Sequence, residues 1–380
     1  MNFSDKIDEW IQEAEARPAS ALTILKLVAN RLKDLSARNE ELLAENIALQ
    51  NETRVQEYQK RIVHLEYQLD LLKRRAAQGN FDENPQTAAP RFLLVSSAAG
   101  RILRLPLEEA PAAGWTIQGE TVIGGEWPRL LTVSADEDLL ALFTSGRVER
   151  CRLDDVPATT GSALNWEQAA LPLAPRAGEA LAALMPLARL PLSDFFTQAS
   201  RRGMLKKTPV SLAESILSKH FIGRGALEKT DQPFAISLAQ KSGRLALVSY
   251  EGRLAGASVG ELSFTMEERL RLTASDFIVA ALTLEEDALL ICITQNGKII
   301  ARPAGGVEIA KGGGRGQSLI PPARLAGGTR FIGALAARSE DRLAALDANG
   351  GLRLFSVENA LGAGTLPAEA PLLSLGLIPA

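Results

Sequence analysis

The chain has 380 residues, with 42 Lys and Arg against 45 Asp and Glu, a formal net charge of −3, and 46% hydrophobic residues. That hydrophobic fraction is typical of globular proteins and excludes a wholly disordered chain. A net charge near zero provides no global attraction to nucleic acid. The sequence contains no apolar run of the roughly 20 residues that span a bilayer, and its start, MNFSDKIDEW, lacks the apolar segment of a secretory signal. A cytoplasmic protein is therefore expected.

The residue types that usually carry catalysis or metal binding are sparse. Cys151 and Cys292 lie in apolar runs and are expected to be buried free thiols, as in a reducing compartment. The chain has just two histidines, so a zinc site is not expected, and it has no Walker motif for ATP. No constellation of acid, base and nucleophile recurs. The sequence therefore predicts a protein without catalytic residues, metal or cofactor.

The first part of the chain reads as helical. Residues 1–19 are predicted to form a short helix that breaks at Pro18, and residues 20–77, which lack Gly and Pro, form a long heptad-patterned helix. An Asn at a core position of a coiled coil favours two strands in register, so a parallel homodimer is predicted. An intramolecular helical hairpin, or a single helix packed on the main domain, remains the alternative. The predicted dimer contacts are Leu32, Leu35, Asn39, Leu42, Asn46, Leu49, Ile62, Leu65 and Leu69.

Residues 78–90, QGNFDENPQTAAP, read as a linker, and a repeated unit follows it over residues 91–362. Each copy has an apolar strand, a turn with glycine, and a second strand with Arg or Lys. Such a pattern is typical of a β-hairpin. Six copies of several strands each predict a mainly β fold, namely a six-bladed β-propeller. Another β-solenoid is the alternative architecture. Residues 363–380 are expected to be a C-terminal tail. The turn glycines are Gly100, Gly146, Gly203, Gly252, Gly297 and Gly350.

Two copies carry distinctive motifs. The run GMLKKTP from Gly203, followed by FIGRGAL from Phe221, resembles a blade of the C-terminal β-pinwheel of DNA gyrase and topoisomerase IV A-type subunits. The stretch from Gly297 to Gly316, with KGGGRG, looks like the blade that carries the gyrase box. The resemblance implies a six-bladed pinwheel that bends duplex DNA around a basic rim. Nothing in the sequence resembles the breakage–reunion module of that family, so DNA cleavage is not expected.

The candidate DNA contacts follow from the local charge. Residues 196–230 hold seven basic and two acidic side chains, and such cations bind phosphates without reading the base sequence. The glycines Gly312, Gly313, Gly314 and Gly316 resemble the gyrase box, and their amides could form an anion-binding nest. An ordinary solvated hairpin and a plain Gly-rich connector are the alternatives. The predicted DNA-binding residues are Arg201, Arg202, Lys206, Lys207, Lys219, Arg224, Lys298, Arg302, Lys311 and Arg315.

The leading hypothesis is a non-catalytic protein that binds or bends DNA without sequence specificity, through a pinwheel paired by its coiled coil. Such a protein could act as an accessory to a type II topoisomerase or take part in organising the nucleoid. The second hypothesis is a protein-interaction scaffold whose propeller no longer binds DNA, since the repeat region has no net charge.

Overall fold

A computed structural model describes residues 21–50, 90–119, 122, 126–135, 137–223, 227–228, 230–309 and 312–380. The chain divides into two compact units, residues 1–80 and 81–380. In the first unit, the described part of the predicted helix 20–77 is α1, Ala21–Gln50. Residues 51–77 and the side chains of Asn46 and Leu49 lie outside what the structure describes. The predicted helix 1–19, the heptads of Ile62, Leu65 and Leu69, and the linker up to residue 89 lie outside the described residues.

Helix α1 carries the predicted seam on its surface. The side chains of Leu32, Leu35 and Leu42, which occupy successive core positions of the heptad, are exposed, and so is Asn39. An apolar stripe at this spacing is the feature by which two helices pack in a coiled coil. None of the described helices is apolar enough over a sufficient length to cross a membrane.

The second unit is built mainly of short strands, because its apolar residues alternate or form short runs between turns. Its strands in chain order are β1 (Arg91–Ser96), β2 (Ile102–Pro106), β3 (Trp115–Gln118), β4 (Arg129–Ser134), β5 (Asp138–Phe143), β6 (Val148–Arg152), β7 (Ala163–Asn165), β8 (Leu181–Pro186), β9 (Phe195–Ser200), β10 (Met204–Pro209), β11 (Pro233–Ala239), β12 (Arg244–Ser249), β13 (Arg253–Ser258), β14 (Glu267–Glu268), β15 (Ile278–Leu284), β16 (Leu289–Thr294), β17 (Ile299–Pro303), β18 (Gln317–Ser318), β19 (Phe331–Ala337), β20 (Arg342–Asp347), β21 (Gly351–Ser356) and β22 (Leu372–Ile378). Its helices are α2 (Ala213–Lys219), α3 (Pro322–Ala326) and α4 (Val357–Ala363).

The described strands form six sheets, which we number 1 to 6 in chain order. Each sheet has a middle strand that pairs antiparallel with an outer strand and an inner strand. From sheet 1 to sheet 6 these triplets, written outer–middle–inner, are β2-β1-β4, β6-β5-β8, β10-β9-β11, β13-β12-β15, β17-β16-β19 and β21-β20-β22. Each predicted hairpin is therefore present as the outer and middle strands of one sheet.

The inner strands lie around one axis. Each packs on the inner strand of the next sheet, and β22 of sheet 6 packs on β4 of sheet 1, so the contacts return to their starting point. Six buried apolar clusters lie between or within the sheets. Each inner strand is an edge strand of its sheet, but this edge faces the axis, which protects it from pairing with other chains.

The turn glycines connect neighbouring sheets. After each outer strand the chain returns to the hairpin turn of the preceding sheet, and all six glycines have φ between +76° and +87°. At five turns a returning backbone N–H donates to the glycine carbonyl, with N···O distances of 2.8–3.2 Å. The sixth, Gly100, lies against the carbonyl of Leu173. The other five contacts join Gly146 to Ile222, Gly203 to Leu270, Gly252 to Leu319, Gly297 to Leu366 and Gly350 to Ile117.

The end of the chain departs from the sequence prediction. Residues 363–380 were expected to be a tail, but Leu372–Ile378 forms β22, the inner strand of sheet 6. Its sequence LLSLGLI alternates between buried and half-buried side chains, and its two faces pack on the neighbouring inner strands, with Leu375 against Gly333 of β19 and Gly376 against Leu130 of β4. Sheet 6 therefore depends on the last residues of the chain.

Candidate nucleic-acid interface

The two lysines of the GMLKKTP run lie on β10 and are buried, each with 7% of its surface exposed. Lys206 Nζ donates to the carbonyl of Ile222 at 3.2 Å. Lys207 Nζ donates to the carbonyls of Gly260 at 2.8 Å and Val259 at 3.2 Å. These ammonium groups tie the outer strand of sheet 3 to segments on either side of it. The structure thus places them within the fold and not on the solvent-exposed hairpin tip that the sequence predicts.

Lys207 also lies between two aromatic rings. Its Nζ is 4.8 Å from the ring centroid of Phe195 and 5.2 Å from that of Phe264. Burial lowers the pKa of Lys207, and the nearby charge of Lys241 lowers it further. An ammonium in such a cage stabilises the fold through cation–π and hydrogen-bond contacts.

The arginines of the same turn also have intramolecular roles. Arg202 donates from Nη2 to the carbonyl of Thr273 at 2.8 Å, and from Nη1 to the carbonyl of Asp276. It thereby holds the segment that leads into β15. Arg201 turns toward the axis and forms an ion pair with Glu126. The four cations predicted to form one phosphate-binding cluster consequently do not share a solvent-exposed face.

Four of the predicted DNA contacts are exposed to solvent. No ion pair involves any of them within the described part of the chain. They lie at the end of α2, immediately before and within β17, and just before β18. They are Lys219, Lys298, Arg302 and Arg315. The two remaining predicted contacts, Arg224 and Lys311, lie outside the described residues.

The Gly-rich loop has positive φ angles, as its glycines allow, but one of its backbone N–H groups already donates a hydrogen bond within the fold. Gly312, Gly313 and Gly316 have φ of +127°, +24° and +65°. The N–H of Gly313 donates to the carbonyl of Glu268 at 2.9 Å, and the carbonyl of Gly314 accepts from the N–H of Arg271 at 2.8 Å. These bonds fix the loop against the end of β14 and remove the Gly313 amide from the predicted anion-binding nest.

The two cysteine thiols are buried, and this burial makes them chemically unreactive. Burial raises the pKa of Cys151 to about 11, with the charges of Asp155 and Asp138 adding to the effect. Burial also raises the pKa of Cys292 to about 12. Both are free thiols within the apolar clusters. Because the thiolate is the reactive form, neither is available as a nucleophile at neutral pH.

Sequence reasoning missed a cavity on the axis. It has a volume of about 250 Å³ and is lined by residues of the inner strands of all six sheets. One end of it carries Glu126, Arg129 and Arg201, near the hairpin turns. Arg201 Nη1 is 3.0 Å from Glu126 Oε2, and the guanidinium of Arg129 lies over the ring of Phe234 at 4.3 Å from its centroid. Arg201 is a predicted DNA contact, but no motif connects it with Glu126 and Arg129, which precede and begin β4 some 70 residues earlier in the chain.

Aromatic rings surround this charged end. Trp127, Tyr250 and Phe277 pack together, with the rings of Tyr250 and Phe277 stacked at 4.7 Å between centroids. Arg201 lies 4.2 Å from the Phe277 centroid. The chain is poor in aromatic residues, at 5%, so a cluster at one place on the axis is a notable local concentration.

Comparison with known proteins supports the fold. No protein-family model matches the sequence, and no curated protein matches it. Among solved structures, the chain is similar to a DNA gyrase A C-terminal domain, with 13% identity, a TM-score of 0.57, and coverage of 76% of this chain and 99% of that one. It is also similar to the C-terminal domain of a DNA topoisomerase IV, with 15% identity, a TM-score of 0.51, and coverage of 77% and 95%. The second unit is therefore a gyrase-like β-pinwheel domain in its fold, as the sequence resemblance predicts.

Proposed function

We propose that the second unit is a six-bladed pinwheel, each sheet being one blade, that binds duplex DNA without sequence specificity and without catalysing a reaction. The observation that carries the proposal is that four of the predicted DNA contacts are exposed to solvent and form no ion pair among the described residues: Lys219, Lys298, Arg302 and Arg315. Exposed Lys and Arg bind phosphates by releasing condensed counterions. The fold shared with a DNA gyrase A C-terminal domain supports the same reading.

The affinity of one pinwheel is expected to be low. Lys206, Lys207, Arg201 and Arg202 have intramolecular partners, so only four of the predicted contacts among the described residues remain for phosphate. Non-specific binding that rests on a few phosphate contacts has a Kd on the order of 10⁻⁴–10⁻⁶ M at physiological salt. Tight wrapping would also have to offset several kcal/mol of DNA bending, on the order of 1–6. Contact with DNA, rather than full wrapping, fits this charge distribution.

Pairing two pinwheels would compensate for weak contacts. Helix α1 exposes the leucines of its heptad, and we propose that it joins two copies as a parallel coiled coil. If both pinwheels reach one duplex, the avidity exceeds either single affinity by roughly 10²–10⁴. Such a dimer would act in the cytoplasm, either beside a type II topoisomerase or as a nucleoid protein.

The salt dependence of DNA binding tests the proposal. The triple variant Lys298→Gln, Arg302→Gln, Arg315→Gln is expected to lower the slope of log K against log salt by about 2 to 3, since each phosphate contact contributes about 0.9. The measurement is fluorescence anisotropy of a labelled duplex between low and physiological salt. Lys206 and Lys207 do not suit this test, because their replacement leaves buried carbonyls without donors.

A matched control removes the same charge elsewhere. Arg150, Arg338 and Arg353 each form an ion pair with a carboxylate, and their triple substitution by Gln also removes three positive charges. We expect this control to bind DNA with a slope close to that of the unaltered chain. Absence of binding near 50 mM salt, or equal slopes for the two triple variants, would contradict the proposal.

Dimerisation has its own test. The double variant Leu35→Lys, Leu42→Lys places charges in the proposed seam and is expected to convert a dimer to a monomer in analytical ultracentrifugation of the full chain. Leu43 is equally exposed but lies outside the core positions, so Leu43→Lys is the matched control and should remain dimeric. A monomeric unaltered chain, or a double variant that stays dimeric, would refute the coiled coil.

A protein-interaction scaffold is the second candidate. The engagement of Lys206 and Lys207 by backbone carbonyls favours it, because these were the most distinctive predicted DNA contacts. A pull-down from nuclease-treated extract distinguishes the two functions. Retention of protein partners together with undetectable DNA binding would favour the scaffold, whereas loss of all partners after nuclease treatment would favour DNA binding.

A further inference from the structure

The axial cavity has a polar end and an apolar interior. Glu126, Arg129 and Arg201 lie at the end nearest the hairpin turns, where the inner strands begin. Further along the same strands the lining is aliphatic, with Leu184 and Leu282 among the half-buried side chains that face the axis. Leu184 and Leu282 line the cavity and are only half-buried, which indicates room in front of them, because a filled axis would bury both completely.

The polar end has an excess of positive charge. Arg201 is paired with Glu126, whose second carboxylate oxygen accepts from Gln232 Nε2 at 3.3 Å. Glu126 is the one carboxylate that lines the cavity among the described residues, so Arg129 adds a charge that it does not balance. Burial, opposed by the charge of Glu126 and assisted by that of Arg201, lowers the pKa of Arg129 to about 10. Arg129 is still charged at neutral pH, and an anion would compensate it.

The volume restricts what can enter. At about 250 Å³ the cavity is several times the roughly 30 Å³ that one water molecule occupies in the liquid, so it admits a small organic molecule. A bare inorganic anion would fill the polar end and leave the aliphatic part empty. An alkane would fill the aliphatic part and leave the charge of Arg129 uncompensated. A short aliphatic carboxylate satisfies both parts.

We propose that the axial cavity is a binding site for a small amphipathic anion, namely a carboxylate with an aliphatic tail of about five carbons. The carboxylate lies between Arg129 and Arg201, and the tail extends along the axis toward Leu184. The rings of Phe234 and Phe277 hold the two guanidinium groups in place by cation–π contact. The site does not depend on DNA binding, because it uses none of the exposed cations of the proposed DNA interface.

Hexanoate is the probe for this site. Trp127 is part of the lining, whereas Trp115 and Trp166 are buried in the apolar cluster of sheets 1 and 6 and Trp10 lies outside the described residues. The difference in fluorescence between the unaltered chain and Trp127→Phe therefore reports on occupancy. We expect saturable quenching by hexanoate, with an affinity about tenfold or more above that of acetate, which lacks the tail, and of 1-hexanol, which lacks the charge. The variant Trp127→Phe should remove the fluorescence change but preserve the heat of binding in calorimetry.

Variants then assign the two ends of the site. Arg129→Gln is expected to weaken hexanoate binding about tenfold or more, and Arg129→Lys to retain most of it, because the lysine keeps the charge. Leu184→Phe should block the tail and leave acetate binding unchanged. Arg152 is exposed on the outer strand of sheet 2, and Arg152→Gln is the control that should bind as the unaltered chain does.

Two results would overturn the proposal. One is equal affinity for hexanoate and 1-hexanol, which would remove any role for the arginines. The other is unchanged hexanoate binding in a folded Arg129→Gln variant. If that variant does not fold, Arg129→Lys and Leu184→Phe decide the question, since normal hexanoate affinity in Leu184→Phe places the ligand elsewhere.

Discussion

Replacing Gly350 with alanine is expected to lower the free energy of unfolding by about 3 kcal/mol or more. Gly350 has φ of +82°, and a Cβ there would lie 2.1 Å from the carbonyl oxygen of Ile117. The same glycine accepts the backbone N–H of Ile117 at 2.8 Å, which joins sheet 6 to the segment that follows sheet 1. Positive φ costs an L-residue about 1–2 kcal/mol, and overpacking against backbone costs about 1–3 kcal/mol more.

Gly178 supplies the matched control. Its φ is +78°, but a Cβ there would meet nothing within 4 Å, so Gly178→Ala carries the backbone strain without the collision. We expect a loss of about 1–2 kcal/mol for that variant. Urea unfolding followed by tryptophan fluorescence and circular dichroism measures both, and Trp115 on β3 lies beside the contact at issue. Equal losses for the two variants would show that the approach of Ile117 contributes nothing to the stability of the fold.

The glycine turns are the part of the fold that the sequence predicts best. A turn residue with positive φ is restricted almost entirely to glycine. All six copies therefore have a glycine at this turn, at intervals of 45 to 57 residues. The reason for the restriction is only partly local. At Gly203 and Gly297 the backbone of a neighbouring segment also approaches where a Cβ would be, at 2.4 Å and 2.3 Å, and this contact between sheets leaves no pattern within the hairpin itself.

The charged residues show why the site is harder to predict than the fold. A pattern of cations on a hairpin predicts exposure, but Lys207 is paired with carbonyls of Val259 and Gly260, some 50 residues further on. Burial of an ammonium group is decided by acceptors that the tertiary fold brings to it. Arg129 and Arg201 likewise come together only in the folded chain, where both guanidinium groups lie over the ring of Phe234. The strand β22 is hard to predict for a different reason: it follows the last turn glycine, so no hairpin comes after it to mark it as an inner strand.

The ion pair between Arg147 and Glu179 is expected to produce the largest loss of stability in acid among the described ion pairs. Both side chains are buried, at 6% and 9% exposure, and Arg147 Nη2 is 2.8 Å from Glu179 Oε2. Burial alone would raise the pKa of Glu179, but hydrogen bonds from Arg147, Ser145 and the backbone of Arg176, with the charge of Arg147, lower it to about 2. A carboxyl whose pKa is lower in the folded state stabilises the fold above its usual pKa of about 4.5, and this contribution is lost as the pH falls toward 2.

Glu179→Gln should therefore cost about 2–3 kcal/mol at pH 7, because Arg147 stays buried with only the more exposed Glu149 as counter-ion. The variant should also lose less stability than the unaltered chain between pH 4.5 and pH 2, since it has no proton to take up at that position. Glu369 pairs with Arg353 on the surface, at 73% exposure, and Glu369→Gln is the control, with an expected change within about 0.5 kcal/mol. Chemical denaturation over this pH range measures both effects. Parallel pH profiles for Glu179→Gln and the unaltered chain would mean that the buried carboxylate does not govern acid stability, and that the acid sensitivity lies with the many surface pairs instead.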